Sequence, residues 1–133
     1  MNHVIVVEDE PLNALLFRKI LEKRCGYRVS VTERAAELFE WCGAGGVSLV
    51  IMDVSLGNTS WQGHPVNGVD LCKILKSDPR TAPIPVLLAT AHAMRGDAES
   101  LLATSGADGY IAKPIVDHEK FVHRVRELVE RAA

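Results

Sequence analysis

Short apolar runs alternate along this chain with longer amphipathic ones. His3–Val7 holds three valines and an isoleucine with no polar alternation, the pattern of a strand covered on both faces. Pro11 follows at a place suited to the first turn of a helix. Leu12, Leu15, Leu16 and Ile20 recur at helical spacing, and Gly26 is placed to stop that helix. Tyr27–Val31 predicts a second strand, with Thr32 as cap of a helix whose apolar face is Ala35, Leu38, Phe39 and Cys42. Gly43, Gly45 and Gly46 break it, and Val47–Asp53 is the third strand. A third helix carries Leu71, Cys72, Ile74 and Leu75 and ends near Asp78-Pro79. Pro85–Ala89 is the fourth strand. A fourth helix shows Ala98, Leu101, Leu102 and Ser105 before Gly106. Asp108–Ala112 is the fifth strand. Asp117 caps a last helix with Phe121, Val122, Val125, Leu128 and Val129 on one face.

Strands that alternate with helices imply a parallel sheet with helices on both faces. The expected fold is α/β, a doubly wound, flavodoxin-like five-stranded parallel sheet of order 2-1-3-4-5, with residues 1–133 as one domain. In that order ligands bind at the carboxyl ends of the strands, at the switch point between the first and third.

Four polar stops then share one sheet edge. The first run ends in Glu8-Asp9-Glu10, the third in Asp53, the fourth in Thr90, and the fifth in Lys113-Pro114. Adjacent carboxylates repel unless a cation sits among them. Mg²⁺ takes oxygen ligands and is usually held by one or two carboxylates together with a phosphate. An acidic run also suits a solvated loop, and an acid after a strand also suits a turn or cap. A long loop rather than a helix follows Asp53, which weakens capping there.

Charge and composition narrow the picture. The net charge is −2 and no basic stripe exists, which argues against nucleic acid as a partner. No apolar stretch is long enough to span a membrane, and with the first strand so near Met1 no signal peptide is expected. Cys25, Cys42 and Cys72 are widely spaced and lie on or beside apolar helix faces. They are expected as buried hydrophobes of a reducing cytoplasm. His3, His118 and His123 are isolated and are expected at the surface or at strand ends.

Val6-Val7-Glu8-Asp9-Glu10-Pro11, Val50-Ile51-Met52-Asp53, Leu88-Ala89-Thr90-Ala91 and Gly106–Pro114 stand in an order and spacing that resembles the receiver domain of two-component response regulators. The likeness runs essentially end to end. It implies that Asp53 accepts a phosphoryl group from a phosphohistidine on a sensor histidine kinase or a histidine phosphotransfer protein. It implies Mg²⁺ on Asp9, Asp53, Glu8 and the backbone carbonyl of Ser55, with Glu8 standing where the family most often has Asp. Lys113 would pair with the phosphoryl oxygens, Thr90 would hydrogen-bond the group once attached, and the Tyr110 rotamer would follow Thr90. A cis Lys113–Pro114 bond is also implied, and cis peptides are essentially confined to X-Pro. The output would be a changed surface of the fourth helix, fifth strand and fifth helix, read by an unidentified protein target or by a second copy in a homodimer. Such a protein is no enzyme beyond its own phosphorylation and dephosphorylation.

The chain departs from the family after Asp53. The usual Met-Pro pair is replaced by Leu56-Gly57, and the matching glycine is Gly68, so the loop is about seven residues longer than usual. That loop is expected to overhang the site. Trp61 either packs down to pin it or joins His64 in a partner contact. His92 and Ser55 occupy positions that help set the lifetime of the phosphoryl group in the family. Three alternatives remain open: an Mg²⁺-dependent phosphatase with an aspartyl nucleophile, a flavodoxin-like cofactor module, and a segment of a larger hybrid kinase or regulator.

Overall fold

The computed structural model describes residues 2–91 and 95–132. Five parallel strands make the sheet: β1 (His3–Val7), β2 (Arg28–Thr32), β3 (Val47–Asp53), and two strands numbered below after a short hairpin. Helix α1 (Pro11–Cys25) joins β1 to β2, and α2 (Ala35–Ala44) joins β2 to β3. The hairpin strands β4 (Ser60–Trp61) and β5 (His64–Pro65) pair antiparallel within the loop that leads to α3 (Gly68–Ser77). Then come β6 (Val86–Thr90), α4 (Arg95–Ser105), β7 (Gly109–Ala112) and α5 (His118–Ala132). The sheet order β2-β1-β3-β6-β7 is the expected doubly wound one.

The continuous apolar runs have the expected consequence. All of β1 and β6 is buried. Successive side chains point to opposite faces, so β1, β3 and β6 each feed two cores. Val4, Val6, Leu49, Ile51 and Leu87 meet Phe17, Ile20 and Leu21 of α1 and Phe121, Val125 and Leu128 of α5. Ile5, Val7, Val50, Met52 and Leu88 meet Leu38 and Cys42 of α2 and Leu71, Cys72 and Leu75 of α3.

Two local expectations are corrected. In α1 the buried residues are Phe17, Ile20 and Leu21, while Leu12 and Leu15 are 74% and 46% exposed. Leucines occur around more than one side of this helix, and the bulkier Phe17 sets which side faces the sheet. Thr32 is the last residue of β2 and not a helix cap; the N-cap of α2 is Arg34, with no side-chain bond. The Thr32 hydroxyl instead accepts from the Arg34 amide and donates to Glu37.

Other punctuation is as read. Gly26 ends α1 at φ 70°. Asp117 accepts from the Lys120 amide at the start of α5. Lys113–Pro114 is cis. Cys42 and Cys72 are buried, and burial pushes both thiols up to about 11, so they stay protonated. His3 is more than a bystander. Its Nδ1 accepts from Arg28, so its Nε2 carries the proton and donates to Ser30.

The hairpin has no counterpart in the pattern reading. Its two-residue turn places Gln62 at φ 52° and Gly63 at φ 81°, positive at both central positions as a type I′ turn requires.

Candidate functional site

Register in the sheet decides which polar residues meet. Val7 stands opposite Met52, so the next residues along β1 and β3, Glu8 and Asp53, leave the sheet side by side. Asp53 in turn stands opposite Ala89, and Thr90 opposite Ala112. Main-chain bonds carry the pairing past the strand ends: Glu8 N–H donates to Thr32, Val54 N–H to Ala89, and Lys113 N–H to Thr90. Glu8, Asp53, Thr90 and Lys113 are thus fixed by backbone that cannot slide without breaking ladders.

The side chains converge. Lys113 Nζ donates to Asp53 Oδ1 at 2.9 Å and to Glu8 Oε1 at 3.1 Å. Glu8, Asp9 and Asp53 each offer a carboxylate oxygen within 4.8 Å of the others. The Ser55 amide donates to Asp53 Oδ1 at 3.2 Å, which with Lys113 fixes the carboxylate plane. Thr90 is 2% exposed at the end of β6. Glu10, the third acid of the run, caps α1 by accepting from the Leu12 amide and takes no part in the cluster.

The electrostatics are those of a site short of positive charge. Burial and the neighbouring Asp53 carboxyl push the Glu8 carboxyl up to about 7, against the pull of Lys113. Burial acts to lower the Lys113 ammonium, but the bonds to Asp53 and Glu8 outweigh it and hold it above the ordinary lysine value. Glu8 Oε2 is buried with no hydrogen-bond partner. A buried carboxylate oxygen left unsatisfied is costly, and a hard divalent cation is the partner that suits it together with the neighbouring carboxylates.

The loop after Asp53 is tied to this cluster. Gly57 N–H donates to Asp9 Oδ2 at 2.8 Å. The hairpin beyond it leans on α2, where the Trp61 indole meets the Phe39 ring edge-on at 4.6 Å. Trp61 therefore pins the loop, and His64 is exposed beside it. At the loop's far end Gly68 starts α3 pressed against β3: a Cβ there would lie 2.1 Å from the Asp53 carbonyl oxygen. His92 lies outside the described residues.

The sequence profile of the response regulator receiver domain matches residues 4–126. This chain belongs to that family. The polar-differentiation response regulator DivK of Brucella anthropi is 36% identical to this receiver over 112 residues, covering 84% of each chain. The signal receiver domain of a signal transduction histidine kinase from Syntrophus aciditrophicus superposes with TM-score 0.80 at 27% identity, covering 98% of this chain and 92% of that one. The receiver domain of the sensor histidine kinase PA1611 from Pseudomonas aeruginosa shares the fold with TM-score 0.79 at 21% identity, over 97% and 98% of the two chains. That structure holds a magnesium ion in its active-site cleft.

Membership makes this receiver a phosphoacceptor in signalling whose chemistry is confined to gaining and losing its own phosphoryl group. The phosphatase and flavodoxin alternatives fall with it. No helix among the described residues is long and apolar enough to cross a membrane. Tyr110 lies on β7, 37% exposed, and lines a groove of about 740 Å³ with Leu102, Pro114, Val116, Lys120 and Phe121. Sequence reasoning missed the Gly57 amide, because a backbone donor leaves no trace in residue type. It also missed Lys76, whose Nζ donates to Asp108 and to the Ala82 and Ile84 carbonyls on the opposite sheet edge.

Proposed function

We propose that Asp53 is the phosphoacceptor and that Glu8, Asp9, Asp53 and the Ser55 carbonyl hold the Mg²⁺ the reaction needs. The observation that carries this is the Lys113 ammonium bridging Glu8 and Asp53 beside three carboxylates that share 4.8 Å. When bound, Mg²⁺ supplies neutralising charge to the carboxylates and to the incoming phosphoryl oxygens. An Asp53 carboxylate oxygen attacks phosphorus in line. An O–P bond forms as the N–P bond of the donor phosphohistidine breaks, and the electron pair leaves with the imidazole, which takes up a proton. No group of this chain is oxidised or reduced. Lys113 balances charge on the equatorial oxygens, where phosphoryl transfer most needs help.

Once attached, the group adds about two negative charges at one strand end. The Thr90 hydroxyl turns towards it and Tyr110 follows, which changes the groove between α4, β7 and α5. The phosphodonor is a sensor histidine kinase or a histidine phosphotransfer protein, and the changed groove is read by a protein partner. Residues 1–133 act as one unit. Incubation with Mg²⁺ and acetyl phosphate, followed by intact mass, tests the assignment. A gain of one phosphoryl group is expected, lost on chelation of Mg²⁺ and in Asp53→Asn. A gain that persists in Asp53→Asn would overturn it.

A further inference from the structure

Residues 54–67 run from β3 to α3, and a connection of that length without structure would be mobile. This one is fastened at several points. Leu56 is 8% exposed and packs into the core on the α2 and α3 side of the sheet. Thr59 is 5% exposed, and its hydroxyl donates to the Glu33 carbonyl at 2.8 Å, just before α2. Trp61 rests on Phe39 of α2. Val66 N–H closes the hairpin onto the Thr59 carbonyl. Asn67 and Asp70 cap α3 reciprocally, and Gly68 abuts Asp53.

Gly57 sits between two of these anchors, Leu56 and Thr59. It presents its amide to Asp9 Oδ2, on a different strand end. Asp9 is the more exposed acid of the cluster; its two neighbours there, Glu8 and Asp53, are both buried. It is therefore the carboxylate that gains most from an outside restraint. An amide donor also withdraws charge from a group crowded by like charges.

We infer that the hairpin insertion is a strut for the metal site: pinned on α2, it holds the Gly57 amide against Asp9 and so orients that carboxylate before the ion arrives. Gly57 is a positioning residue that acts through Asp9, and Trp61 positions Gly57. Partners that orient a metal-ligating group are worth about 10- to 100-fold in metal affinity. The inference rests on the assignment of Asp9 as a Mg²⁺ ligand.

Mg²⁺ titration of the full chain by calorimetry, with no phosphodonor, tests it. Gly57→Pro removes the N–H, whereas Gly57→Ala keeps it and meets only Asp9 Oδ2, at 3.4 Å. Trp61→Ala removes the pin and Trp61→Phe keeps an aromatic ring there. Gly57→Pro and Trp61→Ala are expected to bind Mg²⁺ about tenfold more weakly, with Gly57→Ala and Trp61→Phe close to wild type. Wild-type affinity in both folded Gly57→Pro and Trp61→Ala overturns the strut while leaving the Asp53 mechanism intact. Equal weakening in Gly57→Ala and Gly57→Pro also overturns it, because the N–H is then not the cause. A wild-type protein that takes up no Mg²⁺ overturns the metal assignment and the strut together.

Discussion

Gly68→Ala tests the glycine with the least room for a side chain among the described residues. An added Cβ would lie 2.1 Å from the Asp53 carbonyl oxygen, 2.8 Å from its carbon and 3.0 Å from Met52 Cγ. Either β3 or the start of α3 must retreat by at least about 1 Å to restore ordinary contact. Neither yields easily. Asp53 is laddered to β6, and the first turn of α3 is locked by the Asn67–Asp70 box and by Gly68 N–H on Val54. Overpacking against rigid surroundings costs about 1–3 kcal/mol, and backbone on both sides points to about 3. For a domain of this size that lowers Tm by roughly 10 °C. The displaced atom belongs to the proposed phosphoacceptor, and a misplacement of about 1 Å in a reacting group can cost on the order of 100-fold in rate. Thermal melts and the rate of phosphorylation by acetyl phosphate read the two effects separately. Gly43→Ala is the control: nothing lies within 4 Å of its Cβ position in α2, and it should gain about 0.5–1 kcal/mol. Gly68→Ala with wild-type Tm and rate would refute the reasoning.

Two further outcomes follow from the charges. Lys113→Met leaves the Glu8 and Asp53 side chains, 0% and 3% exposed, without their cation. Because Glu8 is held up to about 7, the loss should be fullest above that pH, about 3 kcal/mol in urea melts at about pH 8, and smaller when Mg²⁺ is added. An unchanged midpoint without metal would contradict it. His3 is lowered from 6.5 by burial and by Arg28, so the unfolded chain binds the more protons just below 6.5. Its contribution to stability is present above 6.5 and is lost as pH falls through the folded value. In urea melts across that window His3→Gln should show a shallower decline than wild type, and equal slopes would count against the assignment.

The sheet was legible because β1, β3 and β6 each carry a short, nearly unbroken apolar run, the pattern of strands covered on both faces. The site was legible for the same reason: each apolar run stops on a polar residue, and parallel register brings those stops to one edge. The α1 face was misjudged because leucine spacing fits more than one side of a helix, and only the packed sheet shows that Phe17 outranks Leu12. The β4–β5 hairpin was hidden because strands of two residues carry no periodicity. Its Gln62-Gly63 turn also lacks the usual Asn or Asp. Gly68 could be matched by position, yet its cause, a carbonyl pressed against its Cα, belongs to the fold alone.

The sheet order also separates two regions of the surface. The groove lined by Tyr110 lies beside β7, at one outer margin of the sheet, while the hairpin rests on α2, which follows β2 at the other margin. The Gln62-Gly63 turn is accordingly a place to graft a fluorophore or an affinity handle: a label there would leave the groove open, so a partner could be captured or watched without competing with its tag.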